Sequence, residues 1–175
     1  MLVVNLFAGP GSGKSTGAAY VFSKIKMAGI NAEIIPEYVK DKVWERADKC
    51  VQNQAYVFGK QYFRTFRLEG EVDVAITDSP LLLSVVYNND PVLGEDFNKV
   101  VAKVANKYTQ LNYFINRVKE YNPKGRFQTA EQSSWISAQI KATLDRMLIS
   151  YKTVDGNQAG YDIIVEDILK YLKKN

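Results

Sequence analysis

A chain of 175 residues, 46% of them hydrophobic, can bury a substantial core. It has no apolar run of the ~18 residues that a membrane crossing needs, and no basic region precedes its apolar N-terminus, so we expect neither a membrane segment nor a signal peptide. The absence of histidine excludes imidazole as a proton carrier or metal ligand. Cys50 is the only cysteine, which excludes an internal disulfide and favours a reducing cytoplasm. The net charge of +4 suits an anionic substrate but is weak evidence for nucleic acid.

Apolar periodicity predicts strands and helices in alternation. The predicted strands are Leu2–Phe7, Ala32–Ile35, Val72–Thr77, Leu111–Ile115 and Tyr151–Val154. The predicted helices cover residues 14–28, a helical region from about 41 to 69, about 97–108, a segment opened by the capping box of Thr129 and Gln132, and 161–172. Strands separated by helices form a parallel sheet that helices cover on both faces. We therefore expect a three-layer α/β/α fold, with residues 1–175 as one domain.

The segment that follows the first predicted strand has the composition of a phosphate-binding loop. Its glycines let backbone N–H groups converge on phosphate oxygens, and the next helix directs its positive end at the same anion. Lys14 can reach the β- and γ-phosphates of a nucleotide, and the Ser15 hydroxyl can bind Mg²⁺. The alternative is a glycine-rich helix cap without a ligand. The predicted P-loop consists of Gly9, Pro10, Gly11, Ser12, Gly13, Lys14, Ser15 and Thr16, with Ala8 where the strict pattern has glycine.

The third predicted strand ends in Asp78, which Ser79 and Pro80 follow. An apolar strand that ends in aspartate has the form of a Walker B element, because the carboxyl end of such a strand opens onto the ligand crevice of an α/β sheet. Asp78 is therefore a candidate to hold Mg²⁺ opposite Ser15. The alternative is an N-cap of the next helix, since Asp78 and Ser79 both suit that position.

These motifs resemble those of the small P-loop kinases of nucleosides and nucleotides, over nearly the whole chain in element order and length. The chain also resembles small bacteriophage proteins described as ATPases or kinases. The resemblance implies a P-loop NTPase fold with a five-stranded sheet of order 2-3-1-4-5, ATP and Mg²⁺ as cofactors, and a lid at about 117–128. In such kinases the lid brings arginines to the transferred phosphoryl group, which makes Arg117 and Arg126 candidate catalytic residues. The alternative is a solvated basic turn.

The resemblance also suggests residues for the phosphate acceptor. Glu37, after the second predicted strand, resembles a general base for the acceptor hydroxyl, and Tyr38 or Trp44 is a candidate to stack on a base. Gln61 and Arg64 are candidates to contact an acceptor base and an acceptor phosphate. Asp155 lies where similar kinases contact adenine. These candidates have plainer interpretations. Glu37 suits an exposed loop glutamate, Gln61 and Arg64 suit surface side chains of a helix, and Asp155 suits an Asp-Gly-Asn turn.

Three classes of function fit these observations. The leading one is a kinase that transfers the γ-phosphoryl group of ATP to a nucleoside, a nucleoside monophosphate or a related small acceptor. The second is a nucleotide hydrolase. A GTPase is disfavoured because residues 106–109 lack the aspartate of a guanine-reading motif, and a motor ATPase is disfavoured because there is no room for its additional helical domain. The third is a kinase of a hydroxyl on nucleic acid, either a polynucleotide end or a modified base. We expect the chain to act in the cytoplasm, which would be the cytoplasm of the host if the protein is viral. We expect it to be a monomer or a homodimer and to have no membrane partner.

Overall fold

The computed structural model describes residues 1–122 and 129–174. Within them, five strands form one parallel sheet in the order β2-β3-β1-β4-β5. The strands are β1 (Leu2–Phe7), β2 (Ala32–Ile35), β3 (Val74–Thr77), β4 (Thr109–Asn116) and β5 (Lys152–Asp155). The predicted α/β fold and strand order are confirmed.

Helices fill the connections between the strands and cover both faces of the sheet. They are α1 (Lys14–Met27), α2 (Tyr38–Trp44), α3 (Asp48–Gln52), α4 (Gln54–Phe66), α5 (Leu83–Tyr87), α6 (Gly94–Ala105), α7 (Ala130–Arg146) and α8 (Gln158–Leu172). None of those that the structure describes combines the length and the apolar composition that a membrane crossing requires.

The region predicted as helical from 41 to 69 contains three helices. Arg46 has a φ of 54°, which ends the α-helical path after α2. Asn53 then begins α4 as its N-cap, because its side chain accepts a hydrogen bond of 2.9 Å from the Tyr56 N–H. The short helix α5 was not predicted, since the run Leu81–Val86 is almost wholly apolar and shows no helical period.

The residues of β1 alternate between the two faces of the sheet, and different helices cover each face. Leu2, Val4 and Leu6 belong to an apolar cluster with residues of α1 and α8. Phe7 belongs to a second cluster with residues of α5, α6 and α7. All six residues of β1 are buried, and each large aliphatic side chain buried in this way stabilises the fold by about 1.5–3 kcal/mol. The end of β1, and with it the start of the loop that follows, is therefore held at the centre of the sheet.

The first helix approaches the last one so closely that Gly17 has no room for a side chain. A Cβ atom there would lie 2.6 Å from the ring of Tyr161, whose hydroxyl donates a 2.9 Å hydrogen bond to the Gly13 carbonyl. Tyr161 is 3% exposed, so its ring has little space into which it can move. The contact couples α8 to the loop that precedes α1.

We expect Gly17→Ala to lower the free energy of unfolding by about 1–3 kcal/mol, because the added methyl group overpacks the Tyr161 contact. Gly59→Ala, in the exposed middle of α4 with nothing within 4 Å of the new methyl group, is the matched control. It should raise the same free energy by about 0.5–1 kcal/mol through helix propensity. Urea unfolding of both variants is the measurement, and equal shifts would contradict the close contact.

Candidate functional site

The predicted P-loop connects β1 to α1, and two of its glycines adopt backbone conformations that other residues rarely adopt. Gly11 has a φ of 79° and Gly13 a φ of 96°. Gly13 is also the N-cap of α1 and offers no side chain to the first helical turn. The N–H groups of that turn are thus left for an anion, toward which the helix dipole also points.

The Lys14 side chain lies back along the same loop. Its ammonium group donates hydrogen bonds to the Ala8 carbonyl at 2.8 Å and to the Gly9 carbonyl at 3.2 Å. Lys14, Ser15 and Thr16 line a cavity of about 510 Å³. The lysine is therefore held at the wall of a space into which a phosphate group fits.

Glu37, the residue that links β2 to α2, lines the same cavity. Its carboxyl group is half-buried, and burial raises its pKa above the usual value. The positive charge of Lys14 opposes this shift and the negative charge of Asp78 adds to it, so the pKa of Glu37 responds to both groups. Tyr87 also lines the cavity, and its burial, together with the charge of Glu37, raises its pKa to about 12.

The loop that carries Glu37 is held by two side chains of α4. Gln61 accepts a 3.0 Å hydrogen bond from the Tyr38 N–H and donates one of 3.4 Å to the Pro36 carbonyl. Arg64 donates to the same carbonyl at 2.9 Å. Both neighbours of Glu37 are thus tied to α4, which fixes the position of its backbone in the cavity wall.

Not all of the predicted acceptor residues face the cavity. Gln61 lines it but is 3% exposed, with its amide group bonded to the backbone. The Arg64 guanidinium pairs with Asp41 at 3.2 Å and is not part of the lining. Tyr38 is buried, with its hydroxyl bonded to that of Tyr56 at 2.9 Å, and does not line the cavity either. These residues support the loop, and their contacts with an acceptor stay predictions.

Asp78 directly follows β3 and is 6% exposed. Among the described residues, no group donates a hydrogen bond to its Oδ1. A buried carboxylate oxygen without a donor is costly, and a cation or a bound water removes this cost. The N-cap alternative has no support here, since α5 begins at Leu83 with Leu82 as its N-cap.

The donor set fits Mg²⁺ bound together with a nucleotide. Within residues 1–122 and 129–174, no group of three or more acidic or cysteine side chains is placed to hold a metal ion by itself. Mg²⁺ typically takes one or two protein ligands and completes its shell with phosphates and water. Asp78 and the Ser15 hydroxyl are the side chains that would hold it in this site.

We expect Ser15→Ala to raise the Mg²⁺ concentration for half-maximal turnover by about tenfold, which corresponds to about 1.4 kcal/mol of binding free energy. The physical reason is the loss of one oxygen ligand from the metal. Ser23→Ala, on an exposed turn of the same helix, is the control. A Mg²⁺ titration of turnover with the same midpoint in both variants would show that Ser15 does not bind the metal.

The predicted lid lies partly outside the described residues. Arg117 directly follows β4, and its guanidinium donates to the hydroxyls of Ser133 at 3.3 Å and Ser134 at 3.0 Å and lies over the ring of Tyr121. It does not line the cavity. Arg126 lies within residues 123–128, outside the described part of the chain, so the lid and both catalytic arginines stay predictions.

The last strand contributes to the site mainly through its backbone. Asp155 is exposed at the end of β5, accepts a 3.4 Å hydrogen bond from the Asn116 amide and does not line the cavity. The next residue, Gly156, packs directly against the Ser12 carbonyl of the P-loop. The structure thus brings this loop beside the phosphate-binding segment, and the adenine contact of Asp155 stays a prediction.

The sequence did not predict the residues of α7 that form hydrogen bonds with the backbone of the P-loop. Ser133 donates a 2.6 Å hydrogen bond to the Pro10 carbonyl, and Ser137 accepts one of 3.1 Å from the Gly9 N–H. Both lie more than 120 residues away from the loop in sequence. The available signal was two serines, four residues apart, beside the apolar stripe of Ile136 and Ile140.

Comparisons with known proteins agree with this geometry. A family model described as an AAA domain matches residues 3–159, and the chain belongs to this family. A crystal structure described as NadR protein in complex with NR has the same fold, with a TM-score of 0.73 and 17% sequence identity. The match covers 97% of this chain and 51% of that one, so the chain spans about half the length of its structural relative. No curated protein matches the chain. The chain is thus an AAA-family domain with a P-loop NTPase fold.

Proposed function

We propose that the chain is an ATP-dependent kinase that transfers the γ-phosphoryl group to a hydroxyl of a nucleoside or nucleoside monophosphate-like acceptor. The observation that carries this proposal is the position of Glu37 in the same cavity as Lys14 and Ser15. A hydrolase needs a place for water next to the phosphates. A carboxylate whose loop is held by α4, in a cavity of about 510 Å³ that it shares with Lys14, suits a larger nucleophile, which it can align with the phosphoryl group.

The groups that line the cavity have complementary tasks. Lys14 stabilises negative charge on the transferred phosphoryl group, and Mg²⁺, when bound, supplies further neutralisation of the phosphates. Glu37 orients the acceptor hydroxyl and accepts its proton. Its raised pKa brings the carboxyl closer to neutral pH, which makes the carboxylate a better proton acceptor. Most of the catalysis then comes from alignment and charge, as phosphoryl transfer requires.

The charge of the acceptor wall favours an uncharged acceptor. Lys40 is the one cation besides Lys14 among the described residues that line the cavity, and it is exposed. The remaining wall is largely apolar, with Val43 and Val57 among its residues. An acceptor phosphate would need paired cations, whereas Arg64 is engaged with Pro36 and Asp41. This balance supports a nucleoside over a monophosphate.

The decisive experiment measures transfer of radiolabelled γ-phosphate from ATP to nucleosides, nucleoside monophosphates and oligonucleotides in parallel. We expect a labelled nucleoside product and an increase of ADP release on addition of that nucleoside. Labelled oligonucleotide alone would favour the alternative kinase of nucleic acid. ADP release that no acceptor stimulates, with label found only in inorganic phosphate, would contradict the proposal and favour a hydrolase.

A further inference from the structure

Helix α7 touches the backbone of the P-loop directly. Ser133, which is 1% exposed, donates to the Pro10 carbonyl at 2.6 Å, and the Gly9 N–H donates to Ser137 at 3.1 Å. A Cβ atom on Gly9 would collide with the Ser133 carbonyl and the Ser137 hydroxyl. The helix and the loop therefore lie so close at this point that the contact has room only for small side chains, the serine hydroxyls.

The hydrogen bond from Ser133 fixes the orientation of one peptide group in the loop. Because a trans peptide is planar, the Pro10 carbonyl and the Gly11 N–H point in opposite directions. When Ser133 holds the carbonyl toward α7, the Gly11 N–H points away from α7. Gly11 lines the cavity and Ser133 does not. The bond thus presents a backbone donor on the side of the loop where phosphate would bind.

The same serine also contacts the start of the segment that follows β4. Its hydroxyl accepts from the Arg117 guanidinium at 3.3 Å, while its own proton goes to Pro10. A hydroxyl that accepts from a cation becomes a stronger donor, so consecutive hydrogen bonds of this kind reinforce one another. Arg117, Ser133 and Pro10 form one chain of hydrogen bonds from the end of β4 to the P-loop.

We propose that Ser133 is a positioning residue for nucleotide binding, through which Arg117 sets the orientation of the Pro10–Gly11 peptide. Release of Arg117 from Ser133 then weakens the phosphate-binding conformation, and bound phosphate strengthens the hold on Arg117. This inference requires only that the P-loop binds nucleotide. It holds for a kinase and for a hydrolase alike, so failure of the proposed acceptor would leave it standing.

The first test is the dissociation constant of Mg·ADP, measured by isothermal titration calorimetry. Ser133→Ala removes the donor to Pro10, and we expect the constant to rise about three- to tenfold, as the loss of one intramolecular hydrogen bond implies. Gln139→Ala is the matched control, since Gln139 is exposed on the same helix. It should change the constant less than twofold. If the wild-type chain binds neither Mg·ADP nor Mg·GDP, the premise and the inference both fail.

The second test is a double-mutant cycle of Arg117→Ala with Ser133→Ala. If Arg117 acts through Ser133, Arg117→Ala raises the dissociation constant of Mg·ADP in the wild type. In the Ser133→Ala background, the same substitution should change the logarithm of that constant by less than half as much. Additive effects would mean that Arg117 acts on the nucleotide independently, and would overturn the inference.

A structural role alone must also be separated from positioning. Ser133→Thr keeps the hydroxyl and should restore the wild-type affinity. Should Ser133→Ala fail to fold, Ser137→Ala removes the neighbouring bond to Gly9 and is expected to weaken Mg·ADP binding by a similar factor. If a folded Ser133→Ala protein binds Mg·ADP with unchanged affinity, the serine has only a packing role and the proposal is overturned, whatever the stability of the variant. The same conclusion holds for Ser137→Ala if Ser133→Ala does not fold.

Discussion

Lys14→Ala should lower turnover by about 10²–10³-fold or more while the chain remains folded, because the residue stabilises charge that develops in the transition state. The side chain lies at the cavity wall and bonds two carbonyls of the loop, so its loss removes little packing. The measurement is kcat for ADP release, with the free energy of unfolding measured on the same preparation.

Lys26→Ala is the control for this change, since Lys26 is exposed in the last turn of the same helix. It should leave kcat within twofold of the wild type. A Lys14→Ala protein that retains more than about a tenth of the wild-type rate would contradict the role of the lysine in charge stabilisation.

Glu37→Gln should lower transfer to an acceptor by about 10²–10⁴-fold, the usual contribution of a positioned base. Glutamine keeps the shape of the side chain but cannot accept the proton. The affinity for ATP and slow hydrolysis in the absence of an acceptor should both persist, because Lys14, Ser15 and Asp78 are unchanged. Glu33→Gln, at an exposed position of β2, is the matched control. Turnover that needs no acceptor and does not depend on Glu37 would contradict the kinase proposal.

The pH dependence of transfer gives an independent check on Glu37. Burial raises the pKa of its carboxyl, and the carboxylate is the form that accepts a proton. Activity should therefore fall as the pH decreases through a pKa higher than the ordinary glutamate value of 4.5. In Glu37→Gln this acid limb should disappear from the residual rate.

The strand, loop and helix that carry the P-loop could be predicted from local sequence. The P-loop is one continuous segment between β1 and α1, and its glycines allow the turn, whereas its hydrogen bonds with Ser133 and Tyr161 come from distant helices. Glu37 and Asp78 each follow a strand of a parallel sheet, and the carboxyl ends of such strands meet at one edge. The sheet order therefore brings both residues to the edge of the sheet where the cavity lies, although Glu37 lines the cavity and Asp78 does not.

The contacts of α4 could not be predicted because they depend on how the helix is rotated against the sheet. Phe58 and Tyr62 lie four residues apart, a spacing that favours one apolar helix face. The structure buries Phe58 together with Gln61, and leaves Phe63 and Phe66 exposed. This rotation directs Arg64 to the Pro36 carbonyl. No periodicity argument distinguishes that contact from one with a substrate.

The two sides of the cleft rest on supports from different parts of the chain. The phosphate-binding loop is held by Ser133 and Tyr161, whereas the loop of Glu37 is held by Gln61 and Arg64. Substitutions in residues 38–66 can therefore accumulate without disturbing the P-loop. Under the proposed kinase function, relatives that share this scaffold can diverge in the acceptor that they use, while recognition of the phosphate donor stays under separate selection.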